Sequence, residues 1–334
     1  MSERAAHTTS SRWLVVAAFA AIYLIWGSAY LAIRFAIETV PPLLMAGLRF
    51  LFAGGLLYIG LRLRGAERPT ATNWRAAATV GILLVCGNGA VTWAEQWLPS
   101  GLAALLIATV PLWMVLLAWA RGGDRPTVTT AAGLGLGLVG IVLLIGPGSL
   151  LHGSRVDPVG ALAVLLGAVS WAAGSVYART APMPAAPLVA TAMEILAGGA
   201  LLTAVGLAAG DGAHLHLQAL SLRSVLAFGF LVIFGSIVAF TAYLWLLRAT
   251  SPARASTYAY VNPVVAVFLG WLLADEPVSP LTAVAAAFII AAVAIIVMDQ
   301  VRSRAPAAPQ AQTVRGPLPP ASDARPRDQT KPAR

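Results

Sequence analysis

The sequence has few charged residues, one cysteine and a single lysine. Charged residues make up 10% of its 334 residues, against about 25% in ordinary soluble domains. The mean hydropathy is +0.80, so the composition indicates a chain that builds its core in lipid. Cys86 lies inside an apolar run and excludes both a disulfide and a cysteine-based metal site. Because Lys331 is the only lysine, the net charge of +9 comes almost entirely from arginine.

Motifs for nucleotide-driven or hydrolytic chemistry are also absent. No phosphate-binding P-loop sequence occurs, and no nucleophile–base arrangement of the hydrolase kind can be recognised. The glycines of 135–140 match a dinucleotide fingerprint, but they lie in an apolar segment that follows no strand. His152, His214 and His216 fall in predicted loops without metal-like spacing. We therefore expect no enzyme activity, no cofactor, no metal and no nucleic-acid partner.

Ten apolar segments of 19 to 24 residues run through the chain. About 20 helical residues cross the hydrocarbon core of a bilayer, so each segment predicts a transmembrane helix. The segments are 13–33, 43–61, 77–97, 101–120, 128–146, 159–178, 187–208, 224–247, 254–273 and 280–298. The sequence thus predicts an all-α polytopic membrane protein with ten transmembrane helices.

The arginines predict the orientation of these helices. With both termini in the cytoplasm, thirteen arginines up to residue 304 fall on the cytoplasmic side and three on the other. This bias is typical of the positive-inside rule. Residues 1–12 then form a cytoplasmic N-terminus and 147–158 a linker. The Pro-, Ala- and Arg-rich residues 301–334 predict a disordered cytoplasmic tail.

The two halves of the chain repeat each other. A spacing of 145 residues aligns Trp26 with Trp171, and a spacing of 152 aligns Pro111 with Pro263. The predicted repeat units are 13–146 and 159–300, with five spans each. Because five is odd, the second unit must enter the membrane inverted relative to the first, as in many secondary transporters.

Several stretches resemble a known family. The sequence from Ala259 to Trp271, followed by Glu276-Pro277, is similar to the second-repeat signature of the EamA family in the drug/metabolite transporter superfamily. Tyr23–Tyr30 and Pro41–Phe50 resemble its YedA-type bacterial members. The resemblance implies a ten-helix exporter of small metabolites or drugs in the bacterial inner membrane, and it names no substrate.

Two ionisable residues lie inside apolar spans at repeat-equivalent positions, Arg49 and Glu194. Such residues mark substrate or ion pathways in membrane proteins. Arg49 could bind a substrate carboxylate or be held by a partner carboxylate. Glu194 could carry a proton, because burial favours the neutral form of a carboxyl group. In the alternative interpretation, each residue only fixes helix packing.

A polar stripe of Asn88, Thr92 and Glu95 follows one face of the third span. It predicts either the lining of a substrate cavity or hydrogen bonding between helices. Glu95 is a second candidate for proton coupling, although its place near the outer end also fits a solvated acid at the interface.

Aromatic and amide side chains supply further candidates for substrate binding. They are Trp26, Tyr30, Trp171, Tyr258 and Asn262. Aromatic walls suit amphipathic substrates and bind cations through the ring face, whereas simple packing is the alternative interpretation. Pro111 and Pro263 predict helix breaks near the bilayer centre.

The pattern favours a secondary transporter that exports small metabolites, amino acids or amphipathic drugs by alternating access, with proton coupling as one option. Its partners would be a small-molecule substrate and the lipid bilayer, and its oligomeric state stays open. A gradient-driven facilitator or a channel is the closest alternative. A membrane sensor or a lipid enzyme fits less well, because the unusual residues lie inside the spans and recur between the halves.

Overall fold

The computed structural model describes residues 12–122, 125–145, 157–249 and 258–303. All regular structure in these ranges is helical, and they contain no strand. The predicted all-helical class is therefore confirmed. Almost all of the predicted N-terminus 1–12, nearly all of the linker 147–158 and the tail from residue 304 lie outside the described residues.

The described part of the first half contains six helices. They are α1 (Arg12–Ala36), α2 (Pro42–Leu63), α3 (Ala71–Ala94), α4 (Ser100–Ile107), α5 (Val110–Ala120) and α6 (Val128–Ile145).

The described part of the second half contains seven α-helices, a π-helical segment and one 3₁₀ turn. The α-helices are α7 (Pro158–Ala178), α8 (Pro187–Ala208), α9 (Asp211–His214), α10 (Leu222–Phe230), α11 (Ala239–Ala249), α12 (Tyr258–Ala274) and α13 (Pro280–Ser303). The π segment, Leu231–Val238, joins α10 to α11 without a break, and the 3₁₀ turn is Leu217–Ala219.

Eight helical stretches of the described chain are long and apolar enough to cross a membrane. The count takes α4–α5 as one stretch and α10–α11 as another. The apolar parts of α6 and α12, Val128–Leu144 and Val261–Ala274, are shorter. These two account for the difference from the ten spans that the sequence predicts.

Prolines open several of the long helices. Pro42, Pro158, Pro187 and Pro280 each occupy the first helical position. Proline suits this position because its missing N–H would have no partner in the first turn. The interiors that follow are apolar, and a helix satisfies its own backbone groups where lipid offers none.

The two prolines of the predicted helix breaks differ. The helix ahead of Pro111 is interrupted at Ala108–Thr109, between α4 and α5. Pro263 instead lies inside α12, which is continuous from Tyr258 to Ala274. Residues 250–257, the start of the ninth predicted span, lie outside the described residues.

Packing pairs the two halves in a reciprocal way. α2 packs along α8, and α6 packs along α13. α1 of the first half packs on the α10–α11 stretch and α12, while α7 of the second half packs on α3, α4 and α5. Exchanging each helix for its counterpart in the other half therefore reproduces the main contacts.

Glycines allow the closest of these approaches. A Cβ atom at Gly81 of α3 would overlap the backbone carbonyl of Glu194 on α8, and one at Gly198 of α8 would overlap the carbonyl of Gly81. Gly137 of α6 contacts Leu112 and Ala292 in the same way. Small residues of this kind let helices in membranes pack backbone to backbone.

Candidate functional site

Arg49 is buried in the interior of the helix bundle. Its side chain on α2 is 4% exposed. The Nε atom donates a hydrogen bond of 3.0 Å to the hydroxyl of Ser236, whereas Nη1 has no partner. The single bond fixes the plane of the guanidinium and leaves one of its donors free to bind another group.

The π-helical segment contains both Ser236, which binds Arg49, and Gly235, which binds Trp26. A π turn is wider than an α turn and frequently marks a functional site. Here the Gly235 carbonyl accepts a hydrogen bond of 3.1 Å from Trp26 Nε1. A Cβ atom at Gly235 would lie 3.2 Å from Arg49 Nη2, so a larger residue there would displace the guanidinium by a few tenths of an ångström. Neither Gly235 nor Ser236 was predicted from the sequence, although a serine in an apolar run was a usable signal for Ser236.

Glu95 lies directly after α3 and is fully buried. Neither carboxylate oxygen has a hydrogen-bond partner. Its backbone carbonyl accepts a hydrogen bond from Nη1 of Arg34. Arg34, Arg49, Glu276 and Tyr30 lie within electrostatic range of the Glu95 carboxylate. Glu95 is thus a fully buried carboxyl group, and not an acid solvated at the interface.

Glu276 connects the two halves of the chain. From the loop after α12, its carboxylate accepts hydrogen bonds from the backbone N–H groups of Ser100 (2.7 Å) and Gly101 (3.1 Å). These groups begin α4 and have no partner within their own helix. The negative charge also faces the positive end of the helix dipole. The hydroxyl of Ser100 is buried beside this contact and has no partner.

An aromatic cluster surrounds Trp26. Its ring lies 5.0 Å from that of Tyr258 and 5.4 Å from those of Tyr243 and Phe240, between ring centroids. The structure therefore brings two of the predicted residues, Trp26 and Tyr258, into contact, although their pairing was not predicted. Tyr243 and Phe240, both on α11, were not predicted, because their apolar segment has no distinct pattern.

The predicted amide side chains are buried with free acceptors. Asn88 Oδ1 and Asn262 Oδ1 have no hydrogen-bond partner. Thr92 is fully buried, and its hydroxyl donates to the carbonyl of Asn88 on the same helix at 3.0 Å. Tyr30 packs against the apolar cluster that contains Leu102. Unpartnered polar groups are costly to bury, which makes these amides candidates for ligand contacts.

Trp171 and Glu194, two further candidates from the sequence, make contacts that differ from those of Trp26, Arg49 and Glu95. Trp171 packs with Trp113 around Val110, beside the interruption between α4 and α5. No ring pair in the described chain joins Trp171 to the Trp26 cluster. Glu194 lies on α8, and its side chain forms no ion pair with a described residue.

Within the described residues, no group of three His, Cys, Asp or Glu side chains is arranged to hold a metal ion. What this part of the interior offers instead is the guanidinium of Arg49, the carboxyl group of Glu95 and the amide oxygens of Asn88 and Asn262, all with unused hydrogen-bonding capacity. Such a set can bind a polar molecule without a covalent step.

Comparison with known proteins gives a consistent result. The model of the EamA-like transporter family matches residues 12–146 and again residues 158–298. The chain is 44% identical to YedA of Escherichia coli K12, described as an uncharacterized inner membrane transporter, over 84% of this chain and 89% of the relative. It is 25% identical to the uncharacterized transporter YoaV of Bacillus subtilis, over 77% and 88% of the two chains. A crystal structure with 25% identity aligns with a TM-score of 0.57 over 89% of this chain and all of the other.

Proposed function

The chain belongs to the EamA-like transporter family and is a multi-pass membrane transporter, and on this premise we propose that it is a secondary transporter that exports small metabolites by alternating access. The observation that carries the proposal is the double match to one family model, which makes the two halves copies of a transporter unit. We place it in the bacterial inner membrane, where its relative YedA resides, with both termini in the cytoplasm.

The architecture we propose is two inverted five-helix repeats, 13–146 and 159–300. In this architecture the shorter helices α6 and α12 complete the count of ten, because the bilayer can thin locally around a short span. The reciprocal packing of α1 and α7 supports a two-fold relation between the repeats. An odd number of spans per repeat then requires that the second unit is inverted.

Alternating access requires that one end of the bundle is closed while the other opens. In the proposed orientation the bonds from Glu276 to Ser100 and Gly101 lie at the outer end and join α12 to α4 across the repeats. Substrate would bind beneath this contact, near Arg49 and Glu95. Opening the outer end would break the Glu276 bonds and move the two repeats apart.

Proton antiport is the coupling that we propose, with Glu95 as its first candidate. A carboxyl with no partner can be charged or neutral according to its neighbours. The groups facing it are Arg34, Arg49, Glu276 and Tyr30, so one proton changes the charge balance of the whole cluster. Glu194 is the second candidate.

Transport by reconstituted protein tests the function. Cells with and without the gene are first screened for resistance to toxic metabolites, and candidate substrates are then loaded into proteoliposomes. We expect saturable efflux, counterflow and acceleration by a pH gradient that is acidic on the acceptor side. Flux that does not saturate and shows no counterflow would identify a channel. Counterflow without a response to the gradient would identify a facilitator.

A further inference from the structure

We propose that the connection between α2 and α3 binds the phosphate of an anionic lipid, whose acyl chains lie along the lipid-facing side of α2. The inference concerns the surface of the bundle and does not depend on the transport function or its buried site. It assigns a function to three exposed arginines, Arg64, Arg68 and Arg75. We call residues 62–75, which contain them, the arginine connection.

The lipid-facing side of α2 leads directly into the arginine connection. Exposed apolar side chains recur on this side three and four residues apart, so they form one continuous stripe. They are Phe52, Leu56, Ile59 and Leu63. The last of them, Leu63, is 83% exposed, and the exposed Arg64 follows it in the chain. The boundary between hydrocarbon and headgroup therefore falls at this point.

The arginine connection has positive charge without partners. It contains four arginines and one glutamate, which is a net charge of +3. The guanidinium groups of Arg64, Arg68 and Arg75 form no ion pair or hydrogen bond with a described residue. Guanidinium groups suit phosphate because two parallel N–H donors match two of its oxygens. Three such groups are thus available to a phosphate.

The end of α2 holds the first part of the connection in a fixed shape. The backbone N–H groups of Arg64, Gly65 and Ala66 donate to carbonyls in the last turn of the helix. Gly65 has a φ of 85°, the left-handed conformation that commonly ends a helix. Arg62 Nη1 donates to the carbonyl of Ala66. A lipid headgroup would therefore meet a preformed turn.

The start of α3 fixes the second part. Thr70 and Asn73 form a reciprocal cap, in which each side chain accepts a hydrogen bond from the backbone N–H of the other residue. The rings of Trp74 on α3 and Tyr58 on α2 lie 5.6 Å apart between centroids. Tryptophan and tyrosine are typical of the interface between hydrocarbon and water. Like the exposed stripe of α2, this pair places the connection at the level of the headgroups.

An anionic lipid fits this surface better than other phosphate compounds do. Positive clusters beside a membrane helix attract anionic lipids, whose phosphates already lie at the same depth. A zwitterionic lipid carries an ammonium with its phosphate and leaves the charge of the connection uncompensated. A soluble phosphate makes no use of the apolar stripe beside the arginines.

Thermal unfolding of the purified full-length protein in a neutral detergent tests the proposal. The probes, each titrated separately, are dioleoylphosphatidylglycerol, dioleoylphosphatidylcholine, glycerol 3-phosphate and inorganic phosphate. We expect only phosphatidylglycerol to raise the melting temperature in a saturable way, because the others lack either the net charge or the acyl chains. Equal stabilisation by phosphatidylcholine overturns the role of charge, and equal stabilisation by either soluble phosphate overturns the assignment to lipid. No shift with phosphatidylglycerol overturns the whole proposal.

A variant without the three free arginines locates the site. R64Q/R68Q/R75Q should bind phosphatidylglycerol more weakly by about tenfold or more, since each arginine near an anionic lipid contributes roughly fivefold. R64K/R68K/R75K keeps the charges and should keep most of the affinity. If the triple Gln variant does not fold, Arg68→Gln alone should still weaken binding about fivefold. Unchanged affinity in the Gln variants overturns the site.

A matched control separates a local site from the general charge of the protein. It removes three exposed arginines from other connections, which the proposed orientation places at the same end of the bundle. The control is R121Q/R125Q/R179Q. We expect it to bind phosphatidylglycerol like the parent protein. Equal weakening in the control and in R64Q/R68Q/R75Q would show that no particular connection forms a site, and would overturn the proposal.

Discussion

The contact between Glu276 and the start of α4 yields a quantitative prediction about closure of the outer end. Substituting Glu276 with Gln removes the charge and one of the two acceptors that bind Ser100 and Gly101. A hydrogen bond to a charged group contributes about 1.5–3 kcal/mol. Two effects place the loss of free energy at the lower end of this range. The Glu276 carboxylate is partly exposed, so solvent screens its charge. The substitution also removes its repulsion with Glu95. A cost of about 1.4 kcal/mol raises the ratio of open to closed protein about tenfold.

The chain's single cysteine makes the assay simple. With Cys86 replaced by Ser, a reporter cysteine at Thr92, which is fully buried one turn below Glu95, is labelled by a membrane-impermeant maleimide added outside. The labelling rate follows the open fraction and should rise about tenfold in Glu276→Gln. Asp275→Asn is the control, because Asp275 is exposed and Asn tolerates its φ of 51°. Equal rates in the two variants, or rapid labelling of the parent reporter, would refute the reasoning.

Three further predictions concern packing and transport. Gly81→Ala should destabilise the protein by about 1–3 kcal/mol through overlap with the α8 backbone, whereas Gly55→Ala, with no atom within 4 Å, should be neutral or stabilising in the same unfolding assay. Asn262→Ala should lower substrate affinity without loss of folded protein, so unaltered transport kinetics would count against a role in binding. Glu95→Gln should abolish the response of transport to a pH gradient while Glu194→Gln keeps it, and the reverse result in proteoliposomes would transfer the proton role to Glu194.

The membrane class and the charged residues of the candidate site could be predicted from the sequence for one reason. Charge is so rare in the apolar segments that Arg49 and Glu194 stand out individually, and the cost of burying a charge in lipid favours a functional role for each of them. Glu95 was a candidate because it shares a polar stripe with Asn88 and Thr92. Trp26 and Tyr258 stood out through a similar contrast with the surrounding aliphatic residues.

Partners across long sequence separations could not be predicted. The local sequence indicates that Glu276 belongs to a turn that ends one helix and starts another. Its hydrogen bonds with Ser100 and Gly101 depend on how α12 and α4 pack. Ser236 binds Arg49 because a π turn presents its hydroxyl to α2. Neither contact has a signature in composition or spacing, since both arise from the arrangement of whole helices.

Repeat symmetry predicted more similarity than the structure has. Pro111 and Pro263 occupy equivalent positions, yet only the first adjoins an interruption of its helix. Proline removes one backbone hydrogen bond in either place. Whether the helix then breaks depends on what else satisfies the freed carbonyl, and this differs between two halves whose sequences have diverged. The neighbours of the prolines show the divergence directly, with Val110 in one half and Asn262 in the other.

The burial of Arg49 and Glu95 without partners fits the proposed binding site better than a role in stability alone. A buried pair that served only stability would form a close ion pair with its remaining donors and acceptors satisfied, because attraction rarely repays desolvation otherwise. Here the two side chains are buried without an ion pair between them, and Nη1 of Arg49 and both side-chain oxygens of Glu95 have no hydrogen-bond partner. The bundle retains this costly arrangement at the contact between its two halves, where a bound substrate would offset the cost.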